Sequence, residues 1–261
     1  MNRKILANKI AIITGASSGI GRATALALAR QGCRVALAAR KMDALEKLRD
    51  EIQAMGAEAL PVQTDVTQAE QVKTMVDAVV QRWGEIDILV SCAGQYIRCP
   101  TCQFSIEELE KSMAVNFYGG IYAIYAVLPH MLAKHSGHIL LVSSMDGKIA
   151  LINDAPYVSA KFALNGFGAT LRQELAGSGL AVSLILPGRV DTPMIQDIKV
   201  PWISAKIAPE AVASAIVKTI HHPRPEVILP VQAGLLYFIS VLSPHLSDWL
   251  ARELHLEGWN A

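Results

Sequence analysis

The sequence predicts an α/β fold, a doubly wound parallel sheet with helices on both faces, and three observations carry that expectation. Short β-branched runs alternate with helical patterns along the chain. The runs are apolar nearly throughout instead of alternating with polar residues, as parallel strands covered on both faces must be. The connections are short, with no linker, internal repeat or low-complexity segment between them. Residues 1–261 therefore read as one domain, long enough to bury a large core, with an amphipathic helical extension over 233–255.

The strands expected in order are KIAIIT (9–14), RVALAA (34–39), EALPVQ (58–63), IDILVS (86–91), HILLVSS (138–144), LAVSLIL (180–186) and EVILP (226–230). Helical spacing fills 22–32, 42–56 and 69–84, and Gly32, Gly56 and Gly84 stand where those helices should stop. The opening MNRKILANKIAIITG is basic, but its apolar run leads straight into a glycine loop. It reads as the first strand and not as a signal peptide.

Charge and cysteine usage narrow the function. Lys plus Arg is 24 and Asp plus Glu 23, a net charge of +1, which gives no field for nucleic acid. The four cysteines are few and uneven for a disulfide framework, which makes the reducing cytoplasm the default compartment. Cys99 and Cys102 form a C-x-x-C, but no second Cys/His pair sits near it, and the seven histidines show no metal spacing. No metal site is expected.

The stretch TGASSGIGR, Thr14 to Arg22, sits between a strand and an Ala/Leu-rich helix. A tight turn there points backbone N–H groups and a helix N-terminus at an anion, and glycines let a ligand approach without a Cβ in the way. The chain resembles the short-chain dehydrogenase/reductase family, whose T-G-x-x-x-G-x-G loop fits Thr14 to Gly21 at each fixed position. The resemblance, over roughly residues 8 to 230, implies a Rossmann-type fold that binds a nicotinamide dinucleotide and commonly forms a homodimer or homotetramer. It places Gly15, Ser17, Ser18, Gly19, Ile20 and Gly21 around the phosphates and Asp65–Val66 at the adenine. Cys92–Gly94 corresponds to the family's N-N-A-G, with Ser91 and Cys92 in place of the asparagines. Ala93 and Gly94 keep the small surface that a ribose approaches. In PGRVDTPM, Pro187 and Gly188 would lie against the nicotinamide, with Val190 and Thr192 bonding its carboxamide.

At the end of the second strand stand Arg40 and Lys41, with no carboxylate until Asp43. A guanidinium suits a 2′-phosphate where a carboxylate would favour the free 2′-hydroxyl, so NADP(H) is the expected cofactor, with Arg22 a second cation. YVSAK puts Tyr157 and Lys161 on one helix face. Ser144 lies thirteen residues before Tyr157, and Asn116 stands in N-x-x-G on a long helix. These four resemble the family's Asn-Ser-Tyr-Lys tetrad. In that reading Tyr157 exchanges the proton, and Ser144 bonds the substrate oxygen. Asn116 holds a relay water. Lys161 holds the ribose and lowers the phenol's pKa by about 3 units, or about 4 kcal/mol.

Residues 193–208, with Ile195, Trp202 and Ile203 as wall candidates, and the loops 95–99 and 145–154 should enclose the substrate. Their apolar character suggests a small hydrophobic carbonyl compound or alcohol, lipid-like, steroid-like or 3-ketoacyl. Leu235, Leu236, Phe238, Ile239, Leu242, Leu246, Trp249 and Leu250 recur at helical spacing in an apolar run too short to span a bilayer. Three roles compete for this extension: packing on the core or a second subunit, capping the cleft, or peripheral membrane contact. The function expected is an NADP(H)-dependent carbonyl reductase or alcohol dehydrogenase. A non-catalytic dinucleotide-binding sensor or scaffold is the alternative, which has no need of Tyr157 and Lys161 together.

Overall fold

The computed structural model describes residues 6–256 and 258–260, apart from the side chains of Ile203 and Asn260. The basic opening, residues 1–5, and the last positions of the extension's tail, 257 and 261, lie outside the described residues. The chain runs β1 (Ile10–Thr14), α1 (Gly19–Arg30), β2 (Arg34–Ala39), α2 (Met42–Ala54), β3 (Ala59–Gln63), α3 (Ala69–Trp83), β4 (Ile88–Ser91), α4 (Ile106–Met113) and α5 (Gly119–Ala133). It continues through β5 (Gly137–Val142), α6 (Ala155–Glu174), β6 (Leu180–Pro187), β7 (Ile198–Lys199), α7 (Pro209–His221), β8 (Glu226–Leu229), α8 (Ala233–Leu242), α9 (Pro244–Glu253) and β9 (Trp259–Asn260). Seven strands form one parallel sheet in the order β3-β2-β1-β4-β5-β6-β8, and β7 pairs with β9 as a separate antiparallel ribbon.

The continuous apolar runs follow from this topology. Along β1 the odd and even positions serve two different cores: Ile10 and Ile12 pack with Met75, Leu89 and Ile124 on one face. Ala11 and Ile13 pack with Leu28, Leu37, Leu45 and Ile216 on the other. Both faces are dry, so a polar side chain is admitted only with a hydrogen-bond partner, as for Thr14, His138 and Ser183. Gly32, Gly56 and Gly84 adopt φ of +86°, +77° and +85°, the left-handed conformation that ends a helix without a Cβ clash.

Two expectations need correction. The extension at 233–255 is two helices, not one: Ser243 is extended, its hydroxyl accepts from the Leu246 amide, and Pro244 cannot donate to a continuing helix. Asn116 does not lie on a regular long helix, because Ala114–Tyr118 forms a π-helical turn between α4 and α5. Among the described residues no helix is long and apolar enough to cross a membrane.

His138 on β5 is buried, with its Nε2 2.9 Å from the Ser183 hydroxyl. Burial pushes its pKa down to about 4 from 6.5. The unfolded chain binds this proton more readily, so the stability is present above pH 6.5 and lost as pH falls through 4. We expect urea unfolding to show a loss of about 3 kcal/mol over that window from this residue. His138→Gln should flatten that part of the pH dependence.

Candidate active site

Parallel strands place all their C-terminal ends at one edge of the sheet, and the order reverses between β1 and β4. The site grows from that point. The Thr14 hydroxyl, at the end of β1, accepts from the amides of Cys92 and Ala93 beyond β4, at 3.0 and 3.1 Å. The two loops touch so closely that a Cβ on Gly15, whose φ is +68°, would sit 2.9 Å from the Ala93 backbone. A Cβ on Gly21 would run into the Gly15 carbonyl, so the first turn of α1 can close over the loop only with glycine there.

Above these loops lies a cleft of about 1030 Å³. Gly15, Ser17, Ser18, Gly19, Ile20 and Gly21 line it at the N-terminus of α1, beside Arg40 and Lys41. Asp65 and Val66 line it after β3, Ala93 and Gly94 after β4, and Pro187, Gly188, Val190 and Thr192 after β6. The Asp65 carboxylate is engaged locally, accepting from the Thr67 amide and hydroxyl. The Thr192 hydroxyl donates to the Val190 carbonyl, and its methyl lies over Gly19. Arg40 and Lys41 are exposed at the cleft edge and neither forms an ion pair among the described residues. Arg22 does not join them. Its guanidinium is bound to Glu51 of α2, at 2.5 and 2.7 Å, and the residue lies outside the cleft lining.

Three of the four tetrad positions, Ser144, Tyr157 and Lys161, line the same cleft, and Asn116 is buried outside its lining. Tyr157 and Lys161 sit one turn apart on α6 and are 9% and 3% exposed. Lys161 donates to the Val142 carbonyl at 3.2 Å, with its Nζ 5.5 Å from the Tyr157 ring centroid. Ser144 caps a 3₁₀ turn just past β5, where its hydroxyl accepts from the Asp146 amide and is hydrogen-bonded to Tyr157. Ser143 is buried as well, with an unpartnered hydroxyl. Asn116 is buried, and from the π turn its amide clamps the Gln95 backbone, whose N–H donates to Oδ1 and whose carbonyl accepts from Nδ2, while Nδ2 also donates to the Ser112 hydroxyl.

Residues 9–201 match the family described as short chain dehydrogenase. The chain belongs to that family. It is therefore an enzyme of the oxidoreductase class that binds a nicotinamide dinucleotide. It is 32% identical to the dehydrogenase/reductase SDR family protein 7-like of Drosophila melanogaster, covering 99% of this chain and 84% of that one. It is 33% identical to an uncharacterized oxidoreductase of Bacillus subtilis (strain 168), covering 99% and 75%. A glycine betaine reductase of Emericella nidulans is 36% identical over 84% of this chain, which spans only 18% of that protein's length. Among solved structures, an alcohol dehydrogenase from the archaeon Thermococcus sibiricus, complexed with 5-hydroxy-NADP, superposes with a TM-score of 0.79 at 31% identity, covering 85% and 95%. An actinorhodin polyketide ketoreductase variant with NADPH gives 0.79 at 29% identity, also covering 85% and 95%.

The family resemblance implies a lowered phenol pKa, and the electrostatics of this chain run the other way. Burial pushes the Tyr157 phenol up, and the carboxylates of Asp146 and Asp154 push it further, against the hydrogen bond from Ser144. Burial also pushes Lys161 down to about 8. Both charged forms are penalised by the same dry environment, and the ammonium bonds a carbonyl instead of the phenol oxygen.

The substrate end also differs from expectation. Ile195 lines the cleft, but Trp202 is 88% exposed on a 3₁₀ turn, and the Ile203 side chain lies outside the described residues. Leu235, Leu236 and Ile239 of α8 and Leu250 of α9 form part of the wall, so the extension caps the cleft. Its other face leaves Phe238, Val241, Leu242, Leu246 and Trp249 exposed. Sequence reasoning missed two charged residues, Asp146 and Arg189, which also line the cleft. Both fall within segments singled out as loops, but their direction is set by the tertiary fold.

Thr14→Val keeps the shape of the β1 end and removes the acceptor of two loop amides. It should lower stability by about 2 kcal/mol, or a Tm drop of about 4 to 8 °C. Thr14→Ser should restore most of it.

Proposed function

We propose that the chain is an NADP(H)-dependent oxidoreductase that interconverts a hydrophobic carbonyl compound and its alcohol. The observation that carries this reading is the convergence of Tyr157, Ser144 and Lys161 beside the glycine loop in one cleft. The residues present fit a dinucleotide: the loops after β1 and β4 leave a Cβ-free surface at Gly15, Gly21 and Gly94. The N-terminus of α1 offers amides for a pyrophosphate, and two cations with no ion pair among the described residues stand at the cleft edge. Arg40 and Lys41 would take a 2′-phosphate, and the neighbouring structures bound to NADPH or 5-hydroxy-NADP support that choice.

When bound, NADPH supplies a hydride to the substrate carbon. The chain's part is proton supply and orientation. The Tyr157 phenol, held protonated by burial, gives its proton to the alkoxide oxygen as the carbonyl is reduced and takes it back in oxidation. Ser144 donates to that same oxygen as charge develops. Lys161, depressed to about 8, can return a proton to Tyr157 near neutral pH at a smaller cost than a lysine of ordinary pKa. Asn116 fixes the strand-end segment at Gln95 that borders the reacting groups. The apolar wall from Ile195, Leu235, Leu236, Ile239 and Leu250 supports a hydrophobic substrate.

The test is NADPH consumption against a panel of ketones, steroids and long-chain 3-keto lipids. Turnover of at least one class supports the reading, and inertness with tight NADPH binding would overturn it. Tyr157→Phe should reduce kcat by about 10²- to 10⁴-fold while NADPH binding, measured by fluorescence, stays within twofold. Arg40→Asp should weaken NADPH binding by about tenfold or more and leave NADH binding nearly unchanged. Equal loss for both cofactors would reject the 2′-phosphate assignment.

A further inference from the structure

Asp154 immediately precedes α6 and has the position of a helix N-cap, where an aspartate normally accepts from the amides of the first turn. It makes no such bond. Its carboxylate instead turns away from the helix and is fully buried, with Oδ1 accepting from the Tyr96 hydroxyl at 2.7 Å. Among the described residues Oδ2 is buried with no hydrogen-bond partner. A buried carboxyl with one oxygen unsatisfied costs stability, and giving up the cap costs more. Something other than folding accounts for this arrangement.

Tyr96 shows what it holds. Its ring packs edge-on against the Tyr157 ring, with centroids 5.0 Å apart and planes at 85°. It also lines the cleft, one residue from Gln95, whose backbone is clamped by Asn116. The same loop is tied to the turn before α6 by a second bond, from the Cys99 amide to the Asn153 carbonyl at 2.7 Å. Tyr96 is thus fixed at its backbone side by Asn116 and at its hydroxyl by Asp154. Without the second tie its ring could rotate away from Tyr157.

We propose that Asp154, acting through Tyr96, is a positioning residue for Tyr157: it locks the ring that buttresses the phenol and so fixes where that phenol meets its reaction partner. The inference rests on the proposed role of Tyr157. The groups facing Asp154 are Tyr96, Asp146, Arg98 and Arg189. Arg98 is the nearer cation, with its Nε 3.8 Å from Oδ1, but its Nη2 is spent on the Gly258 carbonyl and its Nη1 is unpartnered. Burial therefore prevails and pushes Asp154 up to about 7, with Asp146 adding to the rise against the Tyr96 hydrogen bond and the two arginines. The lock carries a negative charge on the alkaline side of neutrality and none on the acid side. That charge in turn opposes ionisation of Tyr157.

Fluorine NMR of the full chain labelled with 3-fluorotyrosine tests this without any substrate. Tyr96→Phe and Tyr157→Phe assign the two resonances. In the wild type both should titrate with one shared midpoint near neutral pH, and Asp154→Asn should abolish the shift at both positions. Tyr96→Phe keeps the ring and loses only the tie, so the Tyr157 resonance should move from its wild-type position. A Tyr157 resonance that does not titrate in the wild type, that titrates unchanged in Asp154→Asn, or that stays in place in Tyr96→Phe overturns the proposal. With a substrate from the panel above, Asp154→Asn should lower kcat by about tenfold, flatten its pH profile around neutrality, and leave NADPH affinity unchanged. The NMR coupling and the turnover assay fail separately: an inert protein with coupled resonances refutes the activity alone.

Discussion

Two backbones approach to within van der Waals contact where β1 and β4 end, and the site's layout follows from that contact. The Thr14 hydroxyl joins the two loops, and glycine at position 15 leaves no side chain between them. The approach needs β1 and β4 as direct neighbours, which the parallel order of the sheet supplies. That order also sends β5 and β6 to the same edge, delivering Ser144 and the Pro187–Thr192 segment to the cleft. The glycine loop is therefore less a motif in itself than one half of a joint whose other half is Cys92–Gly94.

The buried pair on α6 shows how strongly the environment outweighs a neighbouring charge. Tyr157 and Lys161 sit on one helix face, as their spacing implies, yet dryness drives each towards its neutral form. A neutral phenol beside a lysine of reduced basicity is readily reprotonated, because the burial that makes the Lys161 ammonium a better proton donor also makes a tyrosinate a stronger acceptor than in water. The carboxylates around them, Asp146 and Asp154, push the phenol in the same direction as burial.

Much of this was legible in the sequence, for reasons that can be stated residue by residue. The strands declared themselves because β1 and its neighbours are buried on both faces and are apolar except near their ends. Gly32, Gly56 and Gly84 marked helix ends because only left-handed backbone closes those turns cheaply. What stayed hidden depends on partners far along the chain. The Tyr96–Asp154 bond joins residues 58 apart, and Arg22 is captured by Glu51, 29 residues on. Nothing near Asp154 in the sequence points to Tyr96, and Arg22 reads there as a second cation for the cofactor phosphate. The helix break at Ser243–Pro244 was written in the residues themselves, but the apolar spacing on both sides of it suggested continuity.

The two arginines near the reacting groups do more than balance charge. Arg98 donates to the carbonyl of Gly258, and Arg189 to the carbonyl of Leu256. Both grip peptide oxygens, so these two bonds read no side chain; the selectivity at those positions comes from elsewhere, from the φ of +69° at Gly258, where a Cβ would meet the Lys199 carbonyl, and from the burial of Leu256. The tail is thus moored over the chamber through its main chain, which leaves the Leu256 side chain to serve as part of the chamber's lining.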